Sequence, residues 1–400
     1  MKCMQLDIRR ATTVLTIATA MLAGAVRSAA AQQSLGDALS FLLTNRSIAT
    51  DDFVRDTQAA TEVRDTVSGL LRLELTRLPV SSSAGGFTYR LNPRLGTIER
   101  SSENFGPFFT ERTLTAGASR ASFGLTYQDA SFTTLDGRNL GDGTLVATAS
   151  KFREESQPFD VETLSLRIRA STVTALINYG VLDRLDVGMA VPFVTVEFSG
   201  ERIDTYRGRP FPQTRASASA SGVGDVAIRT KYHLLRSAAG GLALGAEIRV
   251  PTGRSEDLLG AGKAAVKSLV IGSFDRGPVA WHANLGYSAG GLSNEFDYGG
   301  AVTVAAAPRL TCVAEIAGRH ANSLGTLTQT TSPNPGIPGV ETIRLTSLRQ
   351  GTEHAVAIAG VKWNPSATWL VSANVVRALT TTGLSAAWIP TVSLDYSLGR

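Results

Sequence analysis

From about residue 114 onward the chain consists of segments in which apolar and polar residues alternate, and the separators between them are by turns very short and long. In "GVGDVAIRTKYHLL", residues 222–235, Val226, Ile228, Tyr232 and Leu234 fall on one parity and Asp225, Arg229, Lys231 and His233 on the other. Period two is the signature of a strand. One strand leaves open which face meets water: in a soluble sheet the apolar face covers a core, whereas in a transmembrane barrel it meets lipid and the charged face lines the lumen.

The spacing of the segments decides between the two. Candidate strands run roughly over 116–132, 161–180, 184–199, 219–236, 241–251, 265–274, 278–290, 295–306, 309–320, 351–363, 368–379 and 386–398. The separators "GVLDR", "RSAAG", "FDRG", "APRL" and "NPSA" are short and rich in turn formers, and each follows an even-numbered strand. Long loops near 133–160, 200–218, 252–264 and 321–350 belong to the opposite rim, with shorter links at 291–294 and 380–385. Short turns on one rim, long loops on the other and an even strand count describe a membrane barrel. After residue 31 no stretch is long and apolar enough for a membrane helix, so insertion requires a closed barrel in which all backbone groups pair between strands. The fold expected is therefore all-β: an antiparallel up-and-down transmembrane β-barrel of about 12 strands over residues 114–400, with a small helical N-terminal region over 32–113.

Residues 1–31 read as a signal peptide. Lys2, Arg9 and Arg10 precede the apolar run "ATTVLTIATAMLAGAV", and Ala29 to Ala31 offer a small-residue cleavage site before Gln32. The expected location is the bacterial outer membrane, reached by export. Loss of this segment removes +3 of the formal net charge of +5, which leaves nothing to suggest nucleic acid, and removes Cys3, which leaves Cys312 without a disulfide partner. Residues 34–79 carry helical spacing in Phe53, Ala60, Val63, Val67, Leu70, Leu71 and Leu78, with Asp51 and Asp52 as cap candidates and Pro79 as a stop. Two placements fit this region: a cap packed on the periplasmic end of the barrel, the plainer one, or a plug inside the lumen. Phe87, Tyr89 and Leu91 then lead into a turn at Asn92 to Gly96, a small hairpin.

By parity the inward-facing candidates are Arg167, Arg169, Asp225, Arg229, Lys231, His233, Glu247, Arg249, His282, Asn284, Asp297, Glu315, Arg319 and Asp395. Both signs occur, so ion pairing across the lumen is expected, either as a filling that holds the barrel closed or as a ladder that guides a solute. Parity slips in "VKSLVIGSF" and around Arg169 to Val173, where bulges are expected. Trp281, Tyr298, Trp363, Trp369 and Tyr396 fall near strand ends as candidate girdle residues, and Cys312 shares the parity of Leu310, Ala314 and Ile316, which turns it to lipid. The last strand alternates Val392, Leu394, Tyr396 and Leu398 against Thr391, Ser393, Asp395 and Ser397, with Leu398 where outer-membrane proteins usually carry a terminal aromatic.

The segments "YGVLDRLDVGMAVPF", "SGVGDVAIRTKYHLL", "LGAEIRVPTGRSEDLLGAG" and "HANLGY" resemble the bacterial outer-membrane family described as meta-pathway phenol degradation proteins, over approximately residues 115–400. The resemblance implies a barrel with a passage role near aromatic catabolism and names no solute.

Catalytic chemistry has little support. "LLGAGKAAVKS" lacks the phosphate-loop pattern, because Asp257 stands where a glycine is needed and Ala264 where Ser or Thr would follow the lysine. His233, His282, His320 and His354 lack metal-ligand spacing, and no nucleophile motif accompanies them. No catalytic residue, metal site or cofactor is expected. The partners expected are outer-membrane lipid, the outer-membrane assembly machinery and a small-molecule solute, with no nucleic acid. The expected function is passive passage of a small solute, hydrophobic or aromatic compounds among the candidates. The alternative is a structural or surface-interaction barrel with a closed lumen.

Overall fold

The computed structural model describes residues 34–398 apart from 45–47, 49, 77–81, 83–88, 93–96, 101, 238, 323 and 367; for 89–92 and 97–100 it describes the backbone. The expected signal peptide and the hairpin turn lie outside the described residues. In chain order the elements begin with α1 (Leu35–Thr44) and α2 (Phe53–Thr76), then β1 (Tyr89–Asn92) and β2 (Thr97–Arg100). There follow β3 (Ala121–Leu135), β4 (Arg138–Asn139), β5 (Leu145–Phe152), β6 (Asp160–Leu182), β7 (Leu185–Tyr206), β8 (Arg209–Val223), β9 (Val226–Ser237) and β10 (Gly240–Val250). Next come β11 (Ala265–Arg276), β12 (Val279–Gly290), β13 (Glu295–Ala307), β14 (Leu310–Ala321), β15 (Thr326–Pro333), β16 (Val340–Leu348), β17 (Thr352–Ser366), β18 (Trp369–Ala378), β19 (Leu384–Ala386) and β20 (Ile389–Leu398).

Twelve strands close a ring in the order β3, β6, β7, β9, β10, β11, β12, β13, β14, β17, β18 and β20, and β20 returns to β3 through Leu398↔Ala121 to Thr391↔Gln128. All ring pairings are antiparallel, so every interior backbone group finds a partner without an open edge. Each of the twelve expected strands has its counterpart. The expected strand 219–236 is divided: residues 219–223 belong to β8, which pairs with β7 above the ring, and β9 starts at Val226. The segments expected as loops at 133–160, 200–218 and 321–350 are largely strand as well, forming the β7–β8 and β15–β16 hairpins and the β16–β5 pairing on the long-loop side.

On the lower, short-turn half of the ring, outward positions are apolar and inward ones polar. Tyr232, Leu234, Leu244, Ile248, Val270, Trp281, Leu285, Ile316, Val361, Val392 and Leu394 are exposed on the outer face, and Cys312 is exposed beside them. On β6 this outward run extends from Val173 to Val181, about 20 Å of height at a rise of 3.3 Å per residue and a tilt near 40°. Such a surface demands a lipid environment. Trp281, Trp363, Trp369 and Tyr396 gather at the short-turn end, with Phe274 against Trp281 and Trp369 against Tyr396 at centroid separations of 5.9 and 4.7 Å. Tyr298 belongs to the other end, where its hydroxyl donates to Glu353 at 2.6 Å.

On β3, β6 and β7 the polarity of the two faces reverses partway up. Tyr127, Val173 and Phe193 stand side by side in one row and end the continuous run of outward apolar residues; the next outward row contains Asp129, Ser171 and Thr195. Above it Ala130, Phe132, Leu164, Leu166, Ile168, Val196 and Phe198 face inward and are buried, as is Val194 just below it, while Arg167, Arg169 and Glu197 face outward and are exposed. This corrects two expectations. Arg167 and Arg169 do not line the lumen, and no bulge intervenes, because the register from Asp160↔Tyr206 to Gly180↔Asp186 is unbroken. In "VKSLVIGSF" as well, β11 pairs without a slip on both sides. The reversal is environmental: the strands outrun the bilayer, so outside becomes water, and inside becomes a hydrophobic core made with α1 and α2.

That core joins Leu35, Leu39 and Leu42 of α1 and Val63, Val67, Leu70 and Leu71 of α2 to the inward residues of β3, β6 and β7, and to Leu258 and Leu259 of the loop after β10. Ser34 and Asp52 cap the two helices, accepting from Asp37 N at 3.0 Å and Arg55 N at 3.2 Å. Arg202 and Glu162 form a buried ion pair at 2.8 Å, and Arg202 also donates to the Leu42 carbonyl at 2.9 Å. The helices thus sit within the long-loop half of the bore, not on the short-turn end where a periplasmic cap would pack.

Candidate functional site

Below the helices the chain returns through the bore as an extended strap, residues 102–119, and the inward charges of the wall hold it by its backbone. The Glu315 carboxylate accepts from the amides of Phe108, Phe109 (3.2 Å) and Thr110 (2.9 Å). Lys362 donates to the Pro107 carbonyl at 2.6 Å, with its ammonium 5.1 Å from the centre of the Phe108 ring. Lys231 reaches Glu111 at 3.3 Å and the Arg112 carbonyl at 3.1 Å. Asn284 accepts from Glu111 N at 2.6 Å and donates to its carbonyl at 3.0 Å with its amide oriented to suit. Nearer the short turns, Asp186 accepts from Ala116 N at 3.0 Å, and Ser273, bonded to His282 Nδ1 at 2.9 Å, accepts from Thr113 N at 3.0 Å.

Where α2 ends, the wall supplies a second set of charges. Glu247 bridges Arg229 and Arg249, each at 2.7 Å, and Arg249 donates onward to the Thr76 carbonyl. Arg319 pairs with Glu74, whose other oxygen lies 4.0 Å from His354 Nε2. Lys267 meets Asp297 at 3.1 Å, and Ser288 donates to the same carboxylate at 3.1 Å. A helix C-terminus exposes unsatisfied carbonyls, so a guanidinium there satisfies both geometry and dipole.

Between strap, helix end and wall lies a cavity of about 220 Å³. Its polar lining includes Arg229, Lys231, Glu247, Arg249, Lys267 and Asp297, and its apolar lining Phe109, Leu269, Ile271, Val356, Val376 and Ile389. The space exists because Gly245, Gly286 and Gly299 present no side chain at inward positions of β10, β12 and β13.

Of the inward candidates read from the sequence, Arg229, Lys231, Glu247, Arg249, Asn284, Asp297 and Arg319 border this cavity. Glu315 and His282 face the strap, His233 is buried near the short turns, and the Asp395 carboxylate lies over Gly124. Asp225 is buried at the β8–β9 junction and ties down the following loop, accepting from Gly253 N at 3.1 Å and Ala261 N at 2.7 Å. Parity reasoning passed over Lys362, although Val361 and Trp363 flank it in the usual alternation, and Lys267, hidden by the inward Leu269 and Ile271. Glu74 and Glu111 carried no signal at all, since their partners lie far along the chain. Among the described residues no helix is long and apolar enough to cross a membrane, which says nothing of strands, and no group of three or more His, Cys, Asp or Glu is suited to hold a metal ion.

Fold and lumen define a class: a closed, twelve-stranded transmembrane β-barrel whose bore is occupied by its own N-terminal residues. No protein-family model matches the chain, and no curated protein matches it in sequence. Solved structures that it resembles include the COG4313 outer membrane channel from Pseudomonas putida F1, at 12% identity over 72% of this chain and 98% of that one, TM-score 0.45. Others are Pseudomonas putida OprB in its low-pH structure (10%, 70% and 92%, TM-score 0.24) and the translocator domain of the autotransporter NalP from Neisseria meningitidis (9%, 70% and 88%, TM-score 0.30). These are likenesses of barrel architecture.

Proposed function

We propose that this is an outer-membrane barrel for passive passage of a small solute, made after export and removal of residues 1–31, with residues 34–113 acting as a plug. The observation that carries the reading is the cavity between strap and wall: it lies in a bore lined by both charge signs, and the groups that close it are hydrogen bonds and ion pairs to a separate segment of chain rather than wall-to-wall packing. Passage needs no energy source of its own. Loosening the Arg319–Glu74 and Arg249–Thr76 contacts lengthens the cavity toward the long-loop side. The mixed apolar and charged lining suits a compact solute with an apolar body, in keeping with the resemblance read from the sequence.

The hydrophobic core above the cavity favours a second reading, a structural barrel that stays closed, because displacing α1 and α2 would expose buried leucines. Planar-bilayer conductance of the refolded protein beside a variant lacking residues 34–111 separates the two. Passage predicts current from the variant well above that of the full chain; silence from both, with the barrel shown to be folded, points to the structural role.

A further inference from the structure

The two rims differ in how their arginines are used. On the long-loop side several arginines have carboxylate partners, namely Arg169 with Asp129 at 2.9 Å, Arg215 with Glu201 at 2.6 Å, Arg153 with Glu341 at 3.3 Å and Arg254 with Asp257 at 2.8 Å, whereas others there, Arg207 and Arg209 among them, form no ion pair among the described residues. Four of the five short turns carry an exposed arginine, namely Arg184, Arg236, Arg276 and Arg309, and among the described residues none of these forms an ion pair. Arg236 and Arg309 lie along the rim, donating to the Asp183 carbonyl at 3.1 Å and the Pro365 carbonyl at 3.4 Å of neighbouring turns, which leaves their other N–H groups available. The guanidiniums of Arg184 and Arg276 have no hydrogen bond among the described residues. The carboxylates nearby are otherwise engaged or turned away: Asp183 accepts from Ala118 N at 3.2 Å, and Asp275 has inward parity on β11.

Height gives this charge its meaning. Phe274 precedes Arg276 by two residues, Leu234 precedes Arg236 by two, and the exposed Trp363 and half-buried Trp369 flank the turn to which Arg309 bonds. At about 2.5 Å of height per tilted residue, the guanidiniums stand roughly 5–10 Å beyond the aromatic edge of the apolar band, where the lipid phosphates lie.

We propose that the short-turn rim is a binding ring for the phosphate headgroups of anionic phospholipids in the leaflet it faces. The guanidinium fork matches phosphate oxygens in pairs, and several such contacts around the rim fix the depth of the barrel and draw anionic lipid into its boundary shell. This rests on the membrane reading above and adds to it a lipid class and a leaflet.

The test uses the protein refolded into phosphatidylcholine vesicles with a minor fraction of spin-labelled phosphatidylglycerol, reading the fraction of label restricted at the protein surface. The wild type is expected to enrich phosphatidylglycerol over phosphatidylcholine, with each arginine contributing about fivefold locally at low salt, and the enrichment falls as sodium chloride is added. The variant Arg184→Gln, Arg236→Gln, Arg276→Gln, Arg309→Gln loses it. The double variant Arg184→Gln, Arg276→Gln, which breaks no hydrogen bond among the described residues, loses part of it even if the fourfold change impairs folding. Arg207→Gln with Arg209→Gln, on the far hairpin, leaves it unchanged. Equal enrichment in wild type and rim variants, or none in the wild type, overturns the proposal while the barrel remains inserted. A chain that fails to gain protease protection in vesicles overturns the membrane reading and this inference with it.

Discussion

Glu315→Gln isolates the anchor of the strap. In the native chain one buried carboxylate accepts from three successive backbone amides, those of Phe108, Phe109 and Thr110. Glutamine is nearly isosteric, but it keeps one acceptor oxygen and turns an NH₂ donor toward the same amides, so at least one buried N–H faces a donor. Hydrogen bonds to a charged group contribute about 1.5–3 kcal/mol each, and a stranded buried donor costs a similar amount, which puts the local loss at about 2–4 kcal/mol. The wall itself keeps its ladder, because Glu315 pairs with Ala301 and Ile358 through the backbone. The loss therefore appears as local opening of residues 104–112. Amide hydrogen exchange of that segment in the refolded protein should speed up by about 30- to 1000-fold, while the ring strands exchange as before. Protection within threefold of the wild type at Phe108 to Thr110 would refute the reasoning, as would equal loosening throughout β13 and β14.

The polarity reversal on β6 predicts opposite tolerances one residue apart: Leu166→Ala removes a buried core side chain and should cost about 2–5 kcal/mol in denaturant unfolding, whereas Arg167→Ala should stay within about 0.5 kcal/mol. At the far tip of β6, about 55 Å from the short-turn end and so beyond the bilayer, burial and the neighbouring Asp204 and Glu162 carboxylates raise the Asp160 pKa to about 7. The folded state thus binds this proton more tightly than the unfolded one, so the stabilisation is complete below about pH 4 and is lost as pH rises through 7. Exchange at 158–162 and 204–207, corrected for intrinsic rate, should accelerate between pH 5 and pH 8, and Asp160→Asn should abolish that dependence. Cys312 should react with a lipid-soluble maleimide in vesicles and resist a charged, membrane-impermeant one; prompt reaction with the charged reagent would place that face in water.

The ring was legible because period two, turn formers and the alternation of short and long separators act locally and repeat around the barrel. The lumen was legible wherever a strand has lipid on one side and the strap or the end of α2 on the other, as with Lys231, Glu247 and Glu315. It failed at Arg167 and Arg169 because the rule that apolar residues face out holds only within the bilayer, and nothing in their own alternation marks where β6 leaves it. The 23-residue length of β6 is the signal that could have done so. The place of residues 34–113 was open for another reason. It depends on pairs such as Glu74 with Arg319 and Phe108 with Glu315, separated by 245 and 207 residues, whose complementarity appears only once the ring has closed.

The central claim is that α2 and the strap occupy the bore and gate it. Thr66 Oγ1 and Ser347 Oγ stand 2.6 Å apart, joining α2 to β16, so Thr66→Cys with Ser347→Cys in a Cys312→Ser background places two thiols within bonding reach across that contact. Swelling of proteoliposomes in small neutral solutes, followed with the pair oxidised and again after reduction, tests the gate on one sample. The account predicts that the disulfide arrests flux and that reduction restores it. Equal flux in both states, or none in either with the barrel inserted, would contradict it.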